Sequence, residues 1–267
     1  WNTINNPIQI KSRLNNFKDL ELIICATKSL RELGVKEIHL YTPYLLGSRS
    51  DRKFEEGSNN YLKDVICPII NSLNFESVTV LDPHSDVLEA CLNNFKKVDN
   101  YTIVANSLFD RNTGIYPGML NKPEFLEKFI LISPDAGANK KIFKVAEQIG
   151  YKGDIITCSK SRDENGKLSH TIVPWNHDDY INKDLIIIDD ICDGGATFIN
   201  IVKYIKEFCY HKGKIYLVVT HGIFSKGFEE LSKYFDGIYC TNSYSDLKSG
   251  EDIQQISQKI CKQLNVF

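Results

Sequence analysis

Short runs of consecutive apolar residues alternate along the chain with longer stretches in which apolar residues recur every three or four positions. The runs predict strands at Glu37–Tyr41, Ser77–Leu81, Tyr101–Val104, Phe129–Ser133, Asp154–Cys158, Leu185–Asp189, Ile215–Thr220 and Gly237–Cys240. The recurrent stretches predict helices at Leu20–Leu33, Asn60–Leu73, Lys140–Ile149, Ala196–Phe208, Lys226–Tyr234 and Ile253–Gln263. Strand and helix in alternation is the pattern of mainly parallel sheets flanked by helices, an α/β class. The number of elements suits two units, with a boundary expected where a helix ends near Gly150–Gly153: residues 1–150 and 151–267, the last helix packing back on the first domain.

Composition narrows the partners. With 267 residues, 42% of them hydrophobic and 25% charged, the chain can bury substantial cores and could form one large domain or two of ordinary size. A formal charge of -2 supplies no field for nucleic acid or an anionic membrane, so a phosphate-bearing ligand must be held by a local cluster. Eight cysteines are spread along the chain without a CxxC pair and mostly within apolar runs, where a thiol acts as a small hydrophobe. A reducing compartment, the cytoplasm, is expected. No apolar run approaches the roughly 20 residues that cross a bilayer, and the opening lacks a signal-peptide pattern. The first residue is Trp1 rather than Met, so upstream sequence is also expected.

Chemistry concentrates in "DLIIIDDICDGGATF", Asp184 to Phe198. A buried strand leads into two acids and then into a glycine turn that opens a helix, an arrangement that offers backbone N–H groups to an anion at a strand's carboxyl end. Gly194 and Gly195 permit close approach, and Thr197 adds a hydroxyl. Asp189 and Asp190 would repel a phosphate directly, so they suit sugar hydroxyls or hydrated Mg²⁺, and a phosphorylated sugar satisfies both halves. The simpler alternative is that Asp190 ends a strand and Asp193 caps a helix.

"IIIDDICDGGAT" resembles the phosphoribosyl-diphosphate loop shared by type I phosphoribosyltransferases and ribose-phosphate diphosphokinases. Four further stretches resemble the diphosphokinases in order. "TPYLLGSRSDRKFEEGS" is similar to PYxxYxRQDRK, "LDPHSDVLEA" to DLHxxQIQGFF, "LISPDAGANKK" to SPDxGGxKR, and "VVTHGIFSKGFEEL" to THGxxSxxAxxxI. The resemblance runs from about Leu20 onward and implies two type I phosphoribosyltransferase-like domains.

It also implies roles. Lys160 and Arg162, in the polar loop "CSKSRDENGKLSH", match the catalytic lysine and arginine that stabilise the transferring phosphoryl group. Asp189, Asp190, Asp193, Gly194, Gly195, Ala196 and Thr197 would take the ribose phosphate, and Asp135, Ala136 and Gly137, with Lys140 and Lys141 nearby, the diphosphate. Arg49, Ser50, Asp51, Arg52 and His84 would contact ATP, while His84 and Asp135 serve its Mg²⁺. The implied partners are ATP, a ribose 5-phosphate compound and further copies of the chain.

Gly194 stands where the family usually has threonine and Ala196 where it usually has glycine. Loss of the hydroxyl leaves room for a phosphate carrying a further group, as in ADP-ribose. The glutamines and paired aromatics of the second stretch are absent, and the N-terminal F-x-D-G-E segment has no match. The expected reaction is Mg²⁺-dependent diphosphoryl transfer from ATP to an anomeric hydroxyl. A phosphoribosyltransferase and a non-catalytic regulatory homologue are the alternatives.

Overall fold

A computed structural model describes residues 6–53, 55–120, 122–162, 168–175, 178–247 and 260–267, with the backbone alone for 123, 160–162, 168–170 and 179. The chain divides into two compact units, Trp1–Asp99 with Val266–Phe267, and Asn100–Asn265.

In the first unit, β1 (Ile8–Lys11), α1 (Phe17–Glu32), β2 (Ile38–Thr42), α2 (Cys67–Asn71), β3 (Ser77–Leu81), α3 (Val87–Cys91) and β4 (Phe95–Val98) follow one another. The strands form a parallel sheet in the order β1-β2-β3-β4. α1 starts earlier than Leu20 because Asn16 accepts the amides of Lys18 and Asp19 while the Asp19 carboxylate accepts the amide of Asn16, a capping box. Leu20, Ile23, Leu40, Ile66 and Val80 lie in its core. The helix expected at Asn60–Leu73 is present at 61–71, as a π-helical turn at Leu62–Ile66 that runs directly into α2, where Pro68 stands at the start.

The second unit contains α4 (Tyr101–Phe109), α5 (Pro123–Leu126), β5 (Phe129–Ser133), α6 (Asn139–Gln148), β6 (Ile155–Thr157), β7 (Ser159–Arg162), β8 (Leu168–Ile172), β9 (Asp184–Cys192), α7 (Ala196–Phe208), β10 (Ile215–Gly222), β11 (Gly237–Thr241) and β12 (Cys261–Leu264). Six strands form a parallel sheet in the order β12-β11-β10-β9-β5-β6, and β7 pairs with β8 as an antiparallel hairpin. Strand side chains alternate between two cores. Ile186 and Ile188 of β9 pack with α4 and α6, while Leu185 and Ile187 pack with α7. A parallel sheet covered on both faces explains why its central strands read as unbroken apolar runs.

Several expectations are corrected. The division falls between Asp99 and Asn100 rather than near Gly150, because β5 and β6, on either side of that glycine, pair in one sheet. Tyr101–Val104 is the start of α4 and not a strand: Val104, Ala105, Leu108 and Phe109 are all buried, so this helix is apolar over most of its surface. The helix expected at Lys226–Tyr234 reduces to one 3₁₀ turn at Leu231–Lys233 behind Gly227, whose φ is +69°. Of the helix expected at Ile253–Gln263, residues 253–259 lie outside those described, and Cys261–Leu264 is a strand. Among the described residues no helix is long and apolar enough to cross a membrane. All eight cysteines are thiols, and six of them are buried.

Candidate active site

In the six-stranded sheet the chain runs outward from β5 to β6, returns past β5 to β9, and continues outward to β10, β11 and β12. The carboxyl ends of β5 and β9 therefore form a topological switch point, where connections diverge to opposite faces and open a crevice. Both ends carry acids. Asp189 and Asp190 lie in β9 just before its last two residues, Ile191 and Cys192, and Asp135 follows β5.

Asp190 is buried, and its Oδ2 accepts from Lys141 Nζ at 3.0 Å. Asp189 Oδ1 accepts the amide of Asp190 at 2.8 Å. Burial, then the charge of Asp190 and a hydrogen bond to it, then the charge of Asp135, push the Asp189 pKa well above the usual carboxylate value. Ala138 donates its amide to Asp135 Oδ1 at 3.1 Å and Ser133 Oγ donates to the Asp135 carbonyl at 2.7 Å, so this loop is fixed from both ends. A Cβ on Gly137 would stand 3.0 Å from Asp135 Oδ1, a contact tight enough that the carboxylate would have to shift by a few tenths of an ångström.

These carboxylates suit a hard cation, since a charge among them would relieve the repulsion that raises Asp189. Among the described residues no group of three histidine, cysteine or acidic side chains is placed to hold a metal alone. The donor set fits Mg²⁺ that keeps waters and phosphate oxygens in its shell.

The turn after β9 supplies the opposite polarity. Gly195 caps α7 at φ +77°, and the first turn of the helix has no side-chain cap, so its amides face the crevice end of the strand. A Cβ at Gly195 would lie 2.8 Å from Leu231, so both backbone and space require glycine there. Asp193 and Thr197 are half-buried and Ala196 is exposed.

Lys160 and Arg162, expected in a loop, lie on strand β7, paired with Thr171 and Leu168 of β8. Residues 163–167, the centre of that expected loop, lie outside those described. In the first unit, Arg49, Ser50, Asp51 and Arg52 follow β2 and His84 follows β3, the neighbouring strand, so both loops leave one sheet edge. The Leu81 amide ties them by donating to Pro43 O at 3.2 Å. Arg49, Arg52 and His84 are exposed.

Sequence reasoning missed three features. One is the Lys141–Asp190 ion pair. A second is buried His221, whose Nδ1 lies 2.8 Å from Ser243 Oγ. The third is Lys226, whose Cδ and Cε stand 3.4 Å from where a Gly194 Cβ would be. Each depends on strand neighbours distant in sequence; position 226, in "GIFSKGF" directly after a strand, was the only visible signal.

No protein-family model matches the chain. A ribose-phosphate pyrophosphokinase from Mycoplasmopsis pulmonis is 28% identical over 244 residues, covering 91% of this chain and 69% of the relative. One from Pyrococcus abyssi is 28% identical over 221 residues, covering 80% of this chain and 68% of the relative. A solved phosphoribosylpyrophosphate synthetase from Mycobacterium smegmatis superposes with a TM-score of 0.76 at 16% identity, covering 99% of this chain and 80% of that one. Over most of its length the chain is similar to the ribose-phosphate pyrophosphokinases. Its fold is accordingly the phosphoribosyltransferase-like α/β arrangement of these pyrophosphokinases. Against the pyrophosphokinase pattern the clearest departure is Gly194, whose φ is not positive, so that backbone conformation alone does not demand glycine there.

Proposed function

We propose that the chain is a Mg²⁺-dependent pyrophosphokinase that transfers the diphosphoryl group of ATP to the anomeric hydroxyl of ribose 5-phosphate and releases AMP. The observation that carries this reading is the meeting, at one switch point, of Asp135, Asp189 and Asp190 with the uncapped amino end of α7. Acids beside an anion-binding turn suit a ligand with hydroxyls at one end and a phosphate at the other.

In this reading the 5-phosphate rests on the amides of residues 195–197, with Asp193 and the Thr197 hydroxyl at its edge. Asp189 and Asp190 hold the ribose hydroxyls, and the ion pair with Lys141 orients the Asp190 side chain. The turn Asp135–Ala136–Gly137 takes the diphosphate. Arg49, Ser50, Asp51, Arg52 and His84 contact ATP. The anomeric oxygen forms its bond to the β-phosphorus as the bond from that phosphorus to the α,β-bridging oxygen breaks; AMP leaves with the electron pair, and the hydroxyl proton passes to solvent. Lys160 and Arg162 stabilise the charge that gathers on the transferring group. Asp135 and Asp189 would hold Mg²⁺, which would supply charge neutralisation.

One observation favours a second acceptor of the same chemistry. Gly194 supplies no hydroxyl to a terminal phosphate, so ADP-ribose, whose 5-phosphate carries a further group, would lose less by that absence. Incubation with ATP, Mg²⁺ and either ribose 5-phosphate or ADP-ribose, followed by mass spectrometry, tests both. AMP with an acceptor heavier by one diphosphate is expected. Base-dependent release of pyrophosphate without AMP would assign a phosphoribosyltransferase instead, and no turnover with either acceptor a regulatory homologue.

A further inference from the structure

The space beside Gly194 is bounded by a cation. The stem of Lys226 runs along it, with Cδ and Cε each 3.4 Å from the position of an added Cβ, which places Nζ one bond beyond. We propose that Lys226 is a specificity-determining residue of the proposed acceptor site, its ammonium taking the acceptor's 5-phosphate in place of the hydroxyl that threonine supplies elsewhere in the family. The inference rests on the pyrophosphokinase reading and adds a residue that the family pattern THGxxSxxAxxxI leaves open.

Three observations carry it. First, Lys226 is held in register with the phosphate turn. β10 lies beside β9 with Gly222 opposite Cys192, and the amides of Ile223 and Phe224 both donate to Cys192 O, at 2.9 and 3.2 Å. Farther on, Leu231 packs against Gly195, so the segment that carries Lys226 is pinned to the β9 turn on both sides of it. Second, Lys226 makes no hydrogen bond or ion pair among the described residues, although it is exposed and several other surface lysines, such as Lys233 with Glu230, are paired. A lysine that lays its methylenes on a glycine and keeps its head in solvent is positioned for an anion arriving at that turn. Third, the positions are complementary. A threonine at 194 would set its Cβ in contact with the stem of Lys226, at 3.4 Å, so the side chains at the two positions share one space. A lysine donates as a mobile point charge, and it can follow either a terminal phosphate or a bridged one.

Steady-state kinetics on the full chain tests this. Lys226→Ala should raise KM for the phosphorylated acceptor by about tenfold or more, as the loss of one charge-assisted hydrogen bond implies, with little change in KM for ATP. Lys233→Ala, which removes an equal charge from the same segment, should leave both KM values where they are. Adding Gly194→Thr to Lys226→Ala should recover much of the lost affinity for ribose 5-phosphate, whereas Gly194→Thr alone should weaken it by displacing the lysine stem. Thermal melts establish that each variant is folded. An unchanged acceptor KM in Lys226→Ala, or equal losses in Lys226→Ala and Lys233→Ala, would overturn the inference while leaving the pyrophosphokinase reading intact. Absence of AMP formation by the wild type would instead remove that reading, and direct titration of ribose 5-phosphate into wild type and Lys226→Ala would still decide whether the lysine binds the phosphate.

Discussion

Asp189 is the residue whose chemistry is most exposed to experiment. Its raised pKa means that, between the ordinary aspartate range and the raised value, the folded protein retains a proton that the unfolded chain has released. Stability of the metal-free protein should therefore fall as pH rises through that window. Asp189→Asn should abolish the fall and melt at a higher temperature than wild type at alkaline pH in EDTA, with no difference near pH 3, while losing Mg²⁺-dependent turnover. A melting curve for the variant that tracks wild type at every pH would contradict the arrangement of the three acids. Lys160→Ala makes a separate prediction: kcat should fall on the order of 10²–10³-fold with acceptor binding largely kept, because a cation aimed at developing charge acts mainly in the transition state. Unchanged turnover would remove Lys160 from the chemistry. The double acid and glycine turn were legible in sequence because the whole motif is local, fifteen consecutive residues from Asp184 to Phe198. Lys226 and Lys141 were not, because what each touches is fixed by pairing of β9 with β10 and β5, which no local pattern encodes.

At the scale of elements, the β9–α7 turn depends on one backbone geometry. Gly195→Ala should destabilise the protein by about 2 kcal/mol, from the left-handed φ and the contact with Leu231 together, whereas Gly194→Ala should be nearly neutral. Chemical denaturation of the two variants checks the contrast, and equal effects would contradict the assignment of separate roles to the two glycines. The elements also show where apolar periodicity misleads. "YTIV", Tyr101–Val104, reads as a strand because it is rich in β-branched residues, yet it opens a helix buried around most of its girth, and periodicity vanishes in both cases. β1 and β4, with the sequences IQIK and FKKV, escaped notice because an edge strand carries polar and charged residues that break up the apolar signal. The strands of the six-stranded sheet from β5 to β11 were legible because burial on both faces makes them continuous runs.

At the scale of the molecule, Asn100–Asn265 contains a complete six-stranded sheet with a core on each face. A fragment of these residues should unfold in one cooperative transition, as a domain with its own core does; a gradual melt would show that this unit is not self-sufficient. The same self-contained sheet holds the proposed acceptor site at its switch point, and the reading of function turns on that location. A crystal structure with ribose 5-phosphate and Mn²⁺, the metal located by its anomalous signal, measures it directly. The phosphate should lie within hydrogen-bonding distance of the amides of residues 195–197, with the metal beside Asp189. A phosphate bound at any other place in the molecule, or a metal away from the ends of β5 and β9, would contradict the account.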